Sequence, residues 1–375
     1  MLVPLGCAAD STGDAQPTDD SDPGAIESSS GAQSGSSSGA EQTGETNPAT
    51  TVDPQDSSSS EGKDSGFTFD VGGSTDLPFD PDACGAPPSV SCDDGDDDDV
   101  WHAIGLNCNG GPEVDGIQQG DPLAFYIHEG NLGTYEPAAF PPREGDKLLV
   151  ISSGNAADIA VPGATSSNDM DGFVDNGADL PFPMLSNRVD ALETCAEDQG
   201  LVGLGDCSNT IEDQWTQGNG AFDYVEMRFE ATVPANTTGF SYDLAFFSYE
   251  YPVYYQSQFN DMYIAWLESE NWTGNISFDE AGAPISLNAG FLDFKDAPNM
   301  FDCPAPCNAP ELEGTSMVGH AGTKWLTTTA GVTPNEDITV IFALFDMSDA
   351  SLDSFVLLDN FNWGCEGGPP VTIPG

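Results

Sequence analysis

Tyr224-Val225-Glu226-Met227-Arg228-Phe229-Glu230 alternates without a break. Tyr224, Glu226, Arg228 and Glu230 share one side of an extended chain, and Val225, Met227 and Phe229 share the other. A period of two reads as a β-strand, and the polar side predicts a half-buried strand in an antiparallel sheet. Working outward, strand-like segments recur between turns rich in Gly, Pro, Asn and Asp, at 123–128, 147–152, 222–233, 240–248, 261–268, 324–329, 337–345 and 354–363. Helical signals are short. One covers 101–106, and another follows Ser186 through Arg188-Val189-Asp190-Ala191-Leu192-Glu193. Many short strands with long irregular insertions predict an all-β fold, an antiparallel β-sandwich of jelly-roll type.

The chain has 375 residues, 63 of them acidic and only 7 basic, for a formal net charge of -56. That balance excludes a nucleic-acid partner, because phosphate binding needs Lys and Arg. It also excludes a polybasic contact with anionic lipid. Divalent cations suit it as counter-ions, and calcium in particular takes carboxylate and carbonyl oxygens. No stretch is apolar for long enough to span a membrane as a helix.

Composition divides the chain into three. Residues 1–7 end in Leu5-Gly6-Cys7, a partial match to the lipobox of a bacterial export signal, with Cys7 as the lipid attachment point. Residues 8–80 are mostly Ser, Gly, Thr, Asp, Glu, Pro and Gln. They hold too little apolar surface to offset the entropy of ordering, so they read as a disordered acidic tether. A Gly/Ser-type chain of about seventy residues reaches on the order of 45 Å. Residues 81–375 carry the aromatic and β-branched residues of the folded domain. The partner implied at the N-terminus is a membrane, reached through the lipid, on the bacterial outer membrane or cell surface.

Setting Cys7 aside leaves eight cysteines: Cys84, Cys92, Cys108, Cys195, Cys207, Cys303, Cys307 and Cys365. An even set in an exported chain reads as disulfides, with on the order of a hundred pairings open. Cys195 with Cys207 and Cys303 with Cys307 are the simplest short-range pairs. Zinc is disfavoured, since no Cys-x-x-Cys pair occurs and the three histidines are scattered.

The acids gather at two places. Glu250, Asp261, Asp346, Asp349, Asp353 and Asp359 stand at loop–strand junctions. Asp169, Asp171 and Asp175 lie in an Asp-x-Asp-Gly-x-x-Asp loop that shares part of the spacing of a calcium loop. Both sets are candidate calcium ligands. The run Asp93-Asp94-Gly95-Asp96-Asp97-Asp98-Asp99 reads as a solvated, self-repelling loop. Tyr249, Tyr251, Tyr254 and Tyr255 surround Pro252 and are candidate contacts for a glycan or protein ligand. His102, His128 and His320 lack the sequence context of a nucleophilic triad, so no catalytic residue is assigned.

Glu250-Tyr251-Pro252, then Phe259-Asn260-Asp261, then Phe345-Asp346-Met347-Ser348-Asp349, then Leu352-Asp353-Ser354-Phe355-Val356-Leu357-Leu358-Asp359-Asn360 resemble, in this order, the blocks of the bacterial choice-of-anchor L domain. The resemblance covers about residues 145–363. It departs from the pattern at Tyr249, where a Glu is usual, and at Phe355. It implies an exported protein held at the cell surface and carries no biochemical role. The reading that results is a lipid-anchored, non-catalytic surface protein serving adhesion, surface structure or ligand capture, with calcium as its cofactor. The alternative is a secreted hydrolase or its carbohydrate-binding module.

Overall fold

Successive residues of the central strands face opposite ways into separate apolar clusters, so the sheets are covered on both faces. The computed structural model describes residues 85–109, 113–166, 177–185, 194–298, 303 and 307–375. Cys7, the tether expected over 8–80, Cys84, Asp169, Asp171, Asp175 and the helix expected after Ser186 lie outside the described residues.

The strands are β1 (Asp115–Gln119), β2 (Phe125–Glu129), β3 (Lys147–Ser152), β4 (Ala221–Thr232), β5 (Gly239–Ser248), β6 (Met262–Glu268), β7 (Thr273–Asn275), β8 (Ile285–Ser286), β9 (Phe294–Lys295), β10 (Ala321–Gly322), β11 (Leu326–Gly331), β12 (Asp337–Met347), β13 (Ser354–Gly364) and β14 (Val371–Pro374). Among the described residues, helix is confined to short turns, including a single α-turn, α1, at Glu212–Trp215. One sheet runs β1-β4-β12-β6-β7, with β8 beside β6. The other runs β14-β11-β5-β13-β3-β2, with β10 beside β5 and β9 beside β10. The pairings are antiparallel throughout. The all-β, two-sheet expectation therefore holds. The 101–106 helix is reduced to a 3-10 turn at His102–Ile104.

The core between the sheets follows from period-two phase. Val225, Met227 and Phe229 of β4, Val340, Phe342 and Leu344 of β12, and Tyr263, Ala265 and Leu267 of β6 enter one buried cluster. From the other sheet, Tyr242, Leu244 and Phe246 of β5 and Val356 and Leu358 of β13 join it. Phe229 meets Phe361 edge to face at 5.6 Å, and Tyr242 meets Phe342 at 4.8 Å, so the two sheets interlock through rings. In β13 a bulge falls between Asp359 and Asn362, with Asn360 at φ 58. The extra residue changes the phase, which returns Phe361 and Trp363 to the same core.

The alternate positions are apolar as well. Leu148 and Val150 of β3, Ala245 and Phe247 of β5, and Phe355 and Leu357 of β13 pack outward against Phe140, Ile159, Leu312 and Met317 from the insertions. On the opposite side, Ile264 and Trp266 of β6 and Ile341, Ala343 and Phe345 of β12 pack under Leu180, Met184 and Ile211. Irregular chain thus covers both sheets. This is why β3, β5 and β13 read as continuous apolar runs. It also corrects the half-buried reading of β4. Tyr224 and Glu226 are fully buried on its outer side, where Glu226 accepts from the Tyr224 hydroxyl, from Gln119 Nε2 (2.8 Å) and from Arg228 Nε (3.0 Å).

Cys92–Cys108, Cys195–Cys207 and Cys303–Cys307 are disulfides, and Cys365 is disulfide-bonded too. The two short-range pairs chosen from spacing are formed. Because Phe342 is buried between Phe229 and Tyr242, Phe342→Ala is expected to cost about 3–5 kcal/mol of folding free energy. Denaturant unfolding followed by near-UV circular dichroism checks this, and a cost under about 1 kcal/mol would contradict the inter-sheet packing described here.

Candidate functional site

The apolar stripes between the sheets all stop at one end of the sandwich. Continued by two residues, the inner stripe of β12 reaches Asp346 and that of β5 reaches Ser248. The stripe of β13, read backwards, reaches Ser354, and that of β6 reaches Asp261, the residue before its first pair. Ser354 pairs with Ser248 across β13 and β5, and Met262 pairs with Phe345 across β6 and β12. These polar ends therefore meet. At the same end the chain crosses twice between sheets, from β5 to β6 through Glu250 and from β12 to β13 through Asp349 and Asp353.

Asp261 fastens the two crossings together. Its carboxylate accepts from Met347 N at 3.2 Å and from the Ser354 hydroxyl at 2.6 Å, one contact from each sheet. Asp353 accepts from the Ser166 hydroxyl at 3.0 Å, while its main-chain carbonyl accepts from Tyr249 N at 3.2 Å. Gly154 lies directly against the Asp353 carboxylate. A Cβ there would come within 2.0 Å of it, so only glycine fits. Ser248 holds the next turn by accepting from Glu250 N at 3.1 Å. Asp346 is 1% exposed, and neither of its oxygens has a hydrogen-bond partner. Ser153 lies near enough to favour the charged form of Asp346 slightly without completing a hydrogen bond. The Ser153 hydroxyl also accepts from Ser354 N, which leaves its own proton free. Glu250 is 2% exposed, and its Oε2 also lacks a partner.

Burial is the main cause of the electrostatics here, and the mutual repulsion of the acids adds to it. Asp261 is pushed up to about 7 and Glu250 to about 9, and Asp346 stands well above the usual carboxylate range. Asp349, at the rim, is raised by burial as well. Asp223, which the sequence reading missed, also contributes repulsion at Asp346. It is the extra residue where β4 shifts register against β12, at φ 46. Its signal was weak, because a bulge interrupts the alternation that locates the other acids.

Five of the six junction acids are thus brought to one end. Asp359 is not among them. It lies five residues beyond Ser354 on the same strand, about 17 Å away. There it faces Asp243, and Arg143 bridges the two. Asp359 accepts from Arg143 N at 2.7 Å, and Asp243 accepts from Arg143 Nε at 3.0 Å. Among the described residues, no three His, Cys, Asp or Glu side chains converge tightly enough to hold a metal ion as they stand.

The tyrosines separate. Tyr249 and Tyr251 are buried, which withdraws them from the surface role expected for them. His320 closes over their turn, with Nδ1 at 3.1 Å from Tyr249 O and 2.8 Å from Tyr251 O. Tyr255 is half-buried beneath Lys295, whose Nζ lies 4.2 Å from its ring centre, and Tyr254 reaches the surface beside exposed Val253. The Asp93–Asp99 run is likewise not simply solvated. Asp93 is buried and accepts from Asp146 N and Lys147 N. Lys147 Nζ donates to the carbonyls of Gly95 and Asp97, and His102 Nδ1 lies 2.8 Å from Asp97 Oδ2.

The family model of the choice-of-anchor L domain matches residues 126–362, more than half of the chain. The chain belongs to the choice-of-anchor L family. The match begins inside β2 rather than near residue 145, ends inside β13, and contains the whole acidic end. As a choice-of-anchor L protein it is a surface or extracytoplasmic protein. Neither a curated protein nor a solved structure matches it significantly.

Asp359 supplies a test of these electrostatics away from the cluster. Burial pushes it up to about 8, against the hydrogen bond from Arg143 N. An unfolded Asp loses its proton near pH 4, so between about pH 4 and pH 8 the folded chain binds the extra proton. The associated stability is full at the acid end and is lost as pH rises. Asp359→Asn stays neutral, and its melting temperature is expected to fall less than that of the wild type between pH 5 and pH 9. Parallel curves for the two proteins would contradict a buried, proton-holding Asp359.

Proposed function

We propose that this choice-of-anchor L protein is a non-catalytic surface protein, held to the membrane by a lipid on Cys7 and carrying its sandwich outward on residues 8–80. It would serve adhesion or the capture of a glycan or protein ligand. The observation that carries the reading is the family match over 126–362, which the Cys7-plus-polar-tail pattern precedes. Support against a hydrolase comes from the histidines. His320 Nδ1 lies against two main-chain carbonyls, His102 Nδ1 lies against Asp97 and the His128 ring has no partner, so none of the three rings is hydrogen-bonded to a Ser or Cys side chain among the described residues. Val253 and Tyr254, exposed on the same β5–β6 crossing as Glu250, are the first place to look for ligand contact.

Fractionation of cells that produce the protein from its own gene tests the anchor. The wild type is expected in the detergent phase and Cys7→Ser in the aqueous phase, with at least a tenfold change in the ratio. Equal retention of both proteins would remove the lipid at Cys7.

A further inference from the structure

We propose that the acidic end of the sandwich is a calcium site, in which Glu250, Asp261, Asp346 and Asp353 hold one ion between the two sheets. This goes beyond the surface role and does not depend on how the chain is anchored.

The first ground is a contrast within the molecule. Buried acids elsewhere are supplied with donors. Asp206 accepts from the main-chain N–H groups of Thr210, Ile211 and Asn275. Asp279 accepts from those of Ala281, Ala283 and Gly290. Glu336 accepts from those of Thr333 and Glu270. At the acidic end this pattern fails. Both oxygens of Asp346 and one of Glu250 are buried without a partner, and Asp346 is close enough to Asp261 and Asp353, and Glu250 to Asp261, for their charges to repel. Outside this end, the one unpartnered buried carboxylate oxygen among the described residues belongs to half-buried Glu144.

The second ground is the absence of a protein cation to fill the gap. Arg143 is engaged by Asp243, Arg228 by Glu226 and Lys324 by Asp293. Lys147 is engaged by the carbonyls of Gly95 and Asp97, and Lys295 by the Tyr255 hydroxyl. No described Lys or Arg is left for the cluster. A buried carboxylate must be neutralised by a proton, an ion pair or a metal.

The donors are all oxygens: four carboxylates, with the hydroxyls of Ser248 and Ser354 beside them. Such a set suits a hard divalent cation. Calcium accepts six to eight ligands in irregular array, whereas magnesium demands a tight octahedron. The carboxylates do not yet converge, so binding needs rotation of Asp346 and Glu250. Their free oxygens have no hydrogen bond to give up in turning. Glu250 and Asp261 come from the β5–β6 crossing, Asp353 from the β12–β13 crossing and Asp346 from the end of β12, so the ion would join both crossings and both sheets.

Thermal unfolding of the full chain, near neutral pH at fixed ionic strength, tests the proposal. Calcium at ten times its dissociation constant should multiply the folding equilibrium constant about elevenfold. For an extracellular module that constant lies at about 10⁻⁴–10⁻³ M. The melting temperature should rise saturably with calcium and return with EGTA, and magnesium should give a smaller rise. Asp346→Asn and Glu250→Gln should each lose the calcium response. In EGTA both should melt no lower than the wild type, because each replaces a buried acid that lacks a hydrogen-bond partner with a neutral amide. Asp359→Asn should keep the full response. A wild type indifferent to calcium overturns the proposal, as does a response that survives in both cluster variants. Loss of the response in Asp171→Asn with retention in Asp346→Asn would overturn it too, by moving the ion to the Asp169–Asp175 segment. Cluster variants that fail to fold in EGTA would show these acids to be structural in their own right, and would also count against it.

Discussion

Scarcity of positive charge shapes this protein. With 7 basic residues to 63 acidic ones, ion pairing cannot neutralise the acids that folding buries. The chain turns to its backbone instead. Asp93, Asp206, Asp279 and Glu336 each sit where main-chain N–H groups converge, which favours a carboxylate without requiring a partner charge. The few cations are placed where they serve more than one group. Arg143 bridges Asp243 and Asp359 across two strands, and Lys147 gathers the carbonyls of an acidic loop. Glu250 and Asp346 are conspicuous because neither solution reaches Glu250 Oε2 or either oxygen of Asp346.

Much of the fold was legible because a strand's two faces follow from residue parity. The eight segments chosen by alternation or apolar runs all became strands, with ends shifted by a few residues. Phase even locates part of the site: two steps beyond Leu344 stands Asp346, and two steps before Tyr263 stands Asp261. What defeated the reading was non-periodic. Asp223 enters through a bulge that breaks parity. Asp359 was grouped with the others as a loop–strand junction acid, yet it stands five residues beyond Ser354 along the strand, about 17 Å away. Tyr249 and Tyr251 looked available to a ligand because nothing local foretells that His320, some seventy residues on, closes over them.

The covered outer faces were also hidden. Segments such as 132–140, 156–160 and 178–185 have no regular pattern, so their apolar residues could not be assigned a face. Their effect was visible only indirectly, in strands with no polar side. Phe355-Val356-Leu357-Leu358 is apolar throughout because Phe355 and Leu357 meet one layer and Val356 and Leu358 another. A strand that looks too apolar for an open sandwich therefore announces an insertion that covers it, even when the insertion cannot be recognised.

The disulfides bear on how the domain would carry a load. Cys92–Cys108, Cys195–Cys207 and Cys303–Cys307 each close a short loop and leave the two sheets unlinked. Tension entering at the C-terminus falls first on β14, an edge strand held by antiparallel bonds to β11 alone. Pulled from its end, such a strand peels one pair at a time, from Pro374 back to Val371. Behind it, Gly368 O accepts from Gly331 N at 3.0 Å, and Cys365 is disulfide-bonded. Mechanical yielding would thus begin in a short terminal ribbon, ahead of the long strand β13.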